Sequence, residues 1–252
     1  MIRVIMHGCN GKMGAMISEL VQAEDAVEIV AGIDPSGAGK FAYPVFESLA
    51  VCPVEADVVI DFSNVSAVEA LLDYCTAKKV PCVLCTTGLD KDLLAKVALS
   101  SKEVAILKSA NMSLGINLLM KLLKEASQVL AQAGFDMEIV EKHHNQKLDA
   151  PSGTALALAD AINEEFDGAY EYVYDRSHRR AKRDAKEIGI SAVRGGSIVG
   201  EHDVIFAGQD EVITFSHTAY SRKVFGKGAI EAAKFLAGRE AGLYDMSHVI
   251  NG

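Results

Sequence analysis

The stretch IRVIMHGCNGKMGAMISEL, residues 2–20, decides how the rest of the chain is read. An apolar, β-branched run ends at His7, and glycines stand at 8, 11 and 14 before four-residue apolar spacing begins. A strand that turns through glycines straight into a helix brings backbone amides and the positive end of the helix dipole to one point. A diphosphate is held in that way. The spacing G-x-x-G-x-x-G varies the usual G-x-G-x-x-G fingerprint, and taken alone it also describes a plain strand-to-helix turn. Asp34 closes the next strand-like run, twenty residues past Gly14, where a dinucleotide fold places the acid that accepts ribose hydroxyls. The conjunction of strand, glycine turn, helix, strand and acid points to a dinucleotide site.

Outward from this turn the same unit repeats. Strands are expected at 2–7, 27–34, 56–62, 81–87 and 103–109, with helices at 12–23, 65–79 and 90–101. Alternating strands and helices, with strands apolar on both sides, predict an α/β, Rossmann-like parallel sheet covered on both faces. After Asn111 the pattern changes. Residues 113–134 read as one long helix with Leu114, Leu118, Met120, Leu122, Leu123 and Leu130 on its apolar side. A strand follows with Phe135, Met137 and Ile139 on one face and Asp136 and Glu138 on the other. Next come a helix at about 152–166 and a strand-rich stretch from Ile188 to His217, with Gly195, Gly196, Gly200 and Gly208 as turn or bulge points. A last helix is expected at 226–238. The second sheet is expected to be mixed or antiparallel, in an α+β domain inserted before the C-terminal helix. The domain boundaries are therefore placed at 1–112 with 220–252 for dinucleotide binding, and 113–219 for substrate binding and oligomerisation.

The bulk numbers exclude several classes. A chain of 252 residues, half hydrophobic and with a formal charge of −9, does not carry the basic footprint of a nucleic-acid binder. No apolar stretch approaches the roughly 20 residues that span a bilayer, so no membrane partner is expected. The opening is not expected to be a signal peptide, because the glycine turn interrupts its apolar run. Five cysteines, an odd number in apolar segments, fit a reducing cytoplasm.

Two further loops fall where the carboxyl ends of a parallel sheet should lie: CTTG, 85–88, and KSANMS, 108–113. Ligands bind at those ends, and small or hydroxyl residues let a cofactor approach the backbone, although such loops are also often only loops. The densest chemistry is EKHHNQKLDAPSGTA, residues 141–155. Histidine exchanges a proton near neutral pH, lysine carries a charge with three donors, and the Ser152, Gly153, Thr154 helix start exposes amides and hydroxyls to an anion. The combination suits an anionic substrate that needs a proton. The same residues also make an ordinary helix start, and strand alternation puts His143 on the apolar face and His144 opposite. No third ligand with convincing spacing supports a metal, so none is expected.

The block E-x-H-H-x-x-K-x-D-A-P-S-G-T-A resembles the signature of the 4-hydroxy-tetrahydrodipicolinate (dihydrodipicolinate) reductases of the diaminopimelate route to lysine. GCNGKMG, DFS (61–63), CTTG, SANMSLGIN, RGGSIVGEH (194–202) and GLYDMSHV (242–249) extend the likeness over almost the whole chain. The resemblance implies NAD(P)H-dependent reduction of a small cyclic dicarboxylate by a homotetramer. It implies His143 as proton donor or acceptor and Lys147 as proton donor. His144, Gly153 and Thr154, with Ser152 beside them, would hold the substrate carboxylates. The cofactor would lie on Gly8, Cys9, Asn10, Gly11, Lys12 and Met13, on Asp34, on Cys85, Thr86 and Thr87, and on Ser109, Ala110, Asn111 and Met112. Two departures stand out: Cys85 replaces a common glycine, and Pro35 follows Asp34 where many members have arginine. With no arginine for a 2′-phosphate, NADH is expected to be preferred over NADPH. Competing readings are a thiol-dependent aldehyde dehydrogenase with Cys85 as nucleophile, and a dinucleotide-sensing regulator without turnover. The pair Cys82 and Cys85 points to opposite faces of a strand, which disfavours a redox or zinc centre. The basic run 175–186 is either a solvated face or an electrostatic guide for a dianion.

Overall fold

The computed structural model describes residues 1–109 and 111–252. In chain order the elements are β1 (Ile2–His7), α1 (Lys12–Val21), β2 (Val27–Ile33), β3 (Val45–Phe46), a 3-10 turn at Leu49–Val51, β4 (Val58–Asp61), α2 (Val65–Lys78), β5 (Cys82–Leu84), α3 (Lys91–Ser100) and β6 (Ala105–Lys108). They continue with α4 (Leu114–Gln132), β7 (Asp136–His143), α5 (Gly153–Glu164), β8 (Glu171–Val173), β9 (Glu187–Arg194), β10 (Gly200–Ala207) and β11 (Val212–Ala219), and close with α6 (Lys223–Leu236), β12 (Gly242–Tyr244) and α7 (Met246–Asn251). The chain divides into two compact units: Met1–Leu114 with Lys223–Gly252, and Gly115–Arg222.

The first unit is a parallel sheet in the order β12-β6-β5-β4-β1-β2-β3. Alternation along each strand divides its apolar residues between two layers. Val4, Met6, Ile60 and Leu107 pack with Ile17 of α1 and with Ala229, Ile230, Ala233 and Leu236 of α6. Ile5, Val59, Leu84 and Ile106 pack on the other side with Val68, Leu71, Leu72 and Val97 of α2 and α3. The Rossmann-like expectation therefore holds. Successive strands move outward in opposite directions from β1 and β4, so a crevice opens at the carboxyl ends of that pair.

The second unit is a mixed sheet in the order β11-β10-β7-β9-β8. β10 runs antiparallel to both β11 and β7, whereas β7, β9 and β8 are mutually parallel. Met137, Ile139, Ile188, Ile190, Val204 and Phe206 form its inner face. They pack against Leu119 and Leu123 of α4 and Ala155, Leu158, Ala159 and Ile162 of α5. The buried side of α4 matches expectation in part: Leu123 is buried and Met120 and Leu130 pack on the core, but Ile116 and Leu119 are buried beside them, whereas Leu114, Leu118 and Leu122 stay 38%, 46% and 41% exposed. Leucines lie almost all round this helix, so periodicity left several stripes open and the sheet selected one.

The basic run is a largely exposed loop, and part of its charge is committed to ion pairs. Arg176 pairs with Glu138 (2.7 Å) and Glu187, Arg179 also pairs with Glu187, and Arg183 reaches Asp136 (2.8 Å) and Glu138 (3.0 Å). Three of its arginines thus fasten the loop between β8 and β9 to carboxylates of the sheet itself.

Candidate active site

In the first unit the glycine turn forms a tight strand-to-helix connection. Gly8 has φ +79°, and a Cβ there would stand 2.6 Å from the Phe62 carbonyl oxygen, so the β1 turn and the chain leaving β4 approach as only glycine permits. Gly11 caps α1 without any side-chain hydrogen bond, which leaves the first amides of the helix directed outward for an anion. A cavity of about 710 Å³ opens beside Gly8, Gly11, Asp34, Pro35, Leu49 and Ser63. This close-approach backbone, amide end and acid fit a dinucleotide.

The expected cofactor residues separate into those that face outward and those that build the floor. Asp34 Oδ1 accepts from the Ser36 amide (3.1 Å) and hydroxyl (2.7 Å). Burial pushes its carboxyl up, but the Ser36 and Asn10 contacts outweigh that and hold it below the usual carboxylate range. Asn10 donates to Ser36 Oγ (2.7 Å) and the Ala38 carbonyl (2.6 Å), stapling the loop that carries Asp34. Lys12 is exposed and Met13 partly so. Cys9 is wholly buried, its thiol pushed up to about 11 by burial and then by Asp34, so only its backbone is left to offer. Met112 belongs to the core and likewise has only backbone to contribute. Asn111 Oδ1 accepts from the Ser113 amide at 2.8 Å, Ser109 is partly buried, and Ala110 lies outside the described residues.

Beneath these loops sits a buried carboxylate that the sequence pattern alone does not mark as part of the site. Asp61 is fully buried at the end of β4, with His7 Nδ1 2.8 Å from Oδ1, Thr86 Oγ1 donating to Oδ2 at 2.6 Å and the Ser63 amide at 3.2 Å. Burial raises its pKa, yet His7, Ser63 and Thr86 outweigh burial and hold it below the ordinary value. Thr86 therefore turns inward as a strut, whereas Thr87 is exposed. Cys85 beside them is pushed well above an ordinary thiol by burial and then by Asp61. A thiol held protonated is a poor nucleophile, which weighs against the aldehyde dehydrogenase reading. The contact with Cys75, and then burial, push the Cys82 thiol well above its ordinary value.

In the second unit the alternation of β7 carries straight into the chemistry. Met137, Ile139, Glu141 and His143 all point to the buried side, so an acid and a histidine follow two core residues on one face. His143 Nδ1 lies 2.6 Å from Glu141 Oε2, and its ring meets that of His202 edge-on, with centroids 5.2 Å apart. Gly200 at the start of β10 leaves room for the imidazole, since a Cβ there would approach Nε2 to 3.1 Å. Beyond the strand, His144 is partly exposed and its Nδ1 accepts from the Gln146 amide at 3.2 Å. Lys147 folds back within the same turn, and its Nζ pairs with Asp149 Oδ1 at 2.8 Å. Asp149 is held below its usual range first by that lysine, with the Gly153 amide adding to the effect. Open space surrounds the Gly153 Cα.

Ser152 departs from the expected substrate role. It is buried and caps α5, with Oγ accepting from the Ala155 amide (3.1 Å) and bonding His202 Nε2 (3.0 Å), while its own amide donates to Glu141 Oε1 (2.9 Å). A side chain so engaged is part of the scaffold. His202 is pushed down to about 4 by burial, with His143 adding to it, and so stays neutral near pH 7. Glu141, Arg194 and His202 are functional-site residues that the sequence motifs do not single out. The usable signal was parity, because Glu141 shares the face of His143.

The fold and the site define the class: a dinucleotide-dependent oxidoreductase of Rossmann-like build with a second, mixed-sheet unit. The profile described as dihydrodipicolinate reductase, N-terminus, matches residues 2–112, and that described as dihydrodipicolinate reductase, C-terminus, matches residues 115–250. The chain belongs to the dihydrodipicolinate reductase family. It is 54% identical over 250 residues to the 4-hydroxy-tetrahydrodipicolinate reductase of Caldanaerobacter subterraneus subsp. tengcongensis, covering 99% of this chain and 98% of that one. It is 51% identical over 251 residues to the enzyme of that name from Clostridium tetani, covering 100% and 98%. Among solved structures, the dipicolinate-bound dihydrodipicolinate reductase from Paenisporosarcina sp. TG-14 superposes with a TM-score of 0.81 at 26% identity, covering 99% of both chains. A probable dehydrogenase from Thermotoga maritima, at 13% identity and TM-score 0.58 over 98% and 92% of the two chains, shares the fold alone.

Proposed function

We propose that the protein catalyses NAD(P)H-dependent reduction of 4-hydroxy-tetrahydrodipicolinate to tetrahydrodipicolinate, in the diaminopimelate route to lysine. One observation carries this reading beyond family membership. An imidazole, an ammonium group and the amides of a helix start are gathered along the short path from the end of β7 to the start of α5. The amides at Gly153 and Thr154, with Lys147 and His144, suit the two carboxylates of the substrate. In this reading the substrate carboxylate takes over the contact that Asp149 now makes with Lys147. His143 moves the proton that accompanies reduction, and Lys147 supplies a second acidic group and neutralises charge. Bound reduced nicotinamide supplies the hydride.

The first unit is assigned to the cofactor and the second to the substrate, with NADH preferred. The five free cysteines suit a reducing cytoplasm, and no helix among the described residues is long and apolar enough to cross a membrane. A homotetramer built through the mixed sheet is part of the same reading. Val193, Val212 and Ile213, at 45%, 61% and 36% exposure, give β9 and β11 apolar surface for a second copy. Light scattering at micromolar concentration should give a tetramer's mass, and a monomer would count against it.

The decisive assay follows absorbance of the reduced nicotinamide while purified protein meets the condensation product of pyruvate and aspartate semialdehyde. Substrate-dependent oxidation of NADH or NADPH is expected. Cofactor binding without any oxidation would favour the regulator instead.

A further inference from the structure

We propose that Glu141, clamped by Arg194, is the positioning residue of the proton-transfer site, fixing both the tautomer of His143 and its placement relative to the amides that open α5. The inference rests on the reductase reading for its kinetic consequences, but its geometry stands apart from it.

Glu141 is fully buried, and both of its oxygens are occupied. Oε2 faces His143 Nδ1 at 2.6 Å and accepts from Arg194 Nη1 at 2.8 Å, while Oε1 accepts from Arg194 Nη2 at 2.7 Å and from the Ser152 amide at 2.9 Å. The two parallel arginine bonds are the fork-to-fork arrangement that locks a carboxylate in one plane. Arg194 is itself anchored, with Nη2 donating to the Asp149 carbonyl at 2.7 Å and Nη1 to the Val193 carbonyl at 2.8 Å. The Glu141–Arg194 pair therefore ties β7, β9, the 144–151 loop and the N-cap of α5 together at the point where the chemistry is placed.

The consequence for His143 follows from elementary hydrogen bonding. Burial pushes the Glu141 carboxyl up, but Arg194, His143 and the Ser152 amide outweigh it, so the group stays ionised and can only accept. The imidazole must then carry a hydrogen on Nδ1, which leaves Nε2 as the nitrogen that gains and loses the exchanged proton. Other ionisable groups near the ring do not make this choice. His202 of β10 meets it edge-on and is neutral near pH 7, His217 of β11 lies behind His202 in the sheet, and Lys147 and Asp149 pair with one another. His144 turns its Nδ1 to a backbone amide.

The test has an arm that needs no turnover. Nitrogen-15 NMR of histidine-labelled, substrate-free protein should show His143 in the Nδ1–H tautomer when neutral, and Glu141→Gln should convert it into a mixture or into the Nε2–H form. Kinetically, Glu141→Gln should lower kcat by about 10- to 100-fold, as loss of an outer partner of a functional histidine does, with a smaller change in KM. The high-pH limb of its kcat/KM profile should move to lower pH, because a protonated imidazole loses its adjacent carboxylate. Arg194→Lys keeps the charge but loses the fork, and should reduce kcat while leaving that limb close to wild type. An Nε2–H tautomer in the wild type would overturn the proposal even if the Gln variant failed to fold. So would a Glu141→Gln protein with unchanged tautomer and pH profile. If no reductase activity were found at all, the NMR arm would still decide the tautomer, which separates failure of this inference from failure of the proposed function.

Discussion

His143 and Lys147 divide two tasks between them, and their substitution should separate these. His143→Gln removes the proton carrier, so turnover should fall by roughly two to four orders of magnitude while cofactor affinity changes little. Lys147→Ala removes both an acid and a carboxylate partner, so kcat should fall and substrate KM should rise together. Steady-state kinetics with cofactor titration checks both, and near-normal turnover in His143→Gln would remove the role. Asp61 shows a different use of a charged residue. Its carboxyl is depressed in the folded protein, so its stabilising effect is full above the ordinary carboxylate range and is lost as the pH falls through the folded value. Asp61→Asn should therefore cost about 1–3 kcal/mol at neutral pH, where Ser63 and Thr86 lose an ionised acceptor and His7 loses the adjacent charge. The gap to wild type should close on acidification. Urea denaturation at neutral and acidic pH measures this, and a gap independent of pH would refute it.

The elements that matter most are β7 and α5, because one ends and the other begins where His143, Lys147 and the helix amides meet. The parity of β7 was legible: alternating residues placed Met137 and Ile139 inside, and continuing that count places Glu141 and His143 there too. What alternation could not reveal was the partner, since Arg194 reaches Glu141 only because β9 runs parallel beside β7 in register with it. The start of α5 was legible as a capping sequence, but the direction of Ser152 was not. That hydroxyl is buried by contact with His202, which arrives fifty residues later on β10. Ser152→Ala should thus lower stability by about 1–2 kcal/mol, the upper part of the range for a lost cap, because His202 loses its partner as well. Thermal unfolding reads the loss, and an unchanged melting temperature would show that the cap contributes nothing.

At the scale of the whole molecule, cofactor choice tests the assignment of the first unit. Asp34 presents a carboxylate on a stapled loop, Pro35 offers neither charge nor donor, and exposed Lys40 is the next cation along the chain. A 2′-phosphate would place negative charge against Asp34, so NADH should be preferred by up to about tenfold in kcat/KM, or about 1.4 kcal/mol. Kinetics with both cofactors, on wild type and Lys40→Ala, decide it. A clear NADPH preference that survives loss of Lys40 would mean that Asp34 does not meet the ribose.

Local order is where the amino-acid sequence sufficed. The glycine turn, the strand–helix alternation and the β7 pattern depend on neighbours a few residues away, so propensity and periodicity expose them directly. The dense block 141–155 carried its chemistry in the same way, because its proton carriers and helix-start amides lie on one short segment. Tertiary structure alone decided what depends on distant partners. The exposed leucines of α4 were assigned by the shape of the sheet they miss, and the basic run was turned into ion pairs by carboxylates up to 47 residues away. The Glu141–Arg194 fork joins positions 53 apart. A buried charge persists only where such partners converge, and no local pattern records which residues will converge.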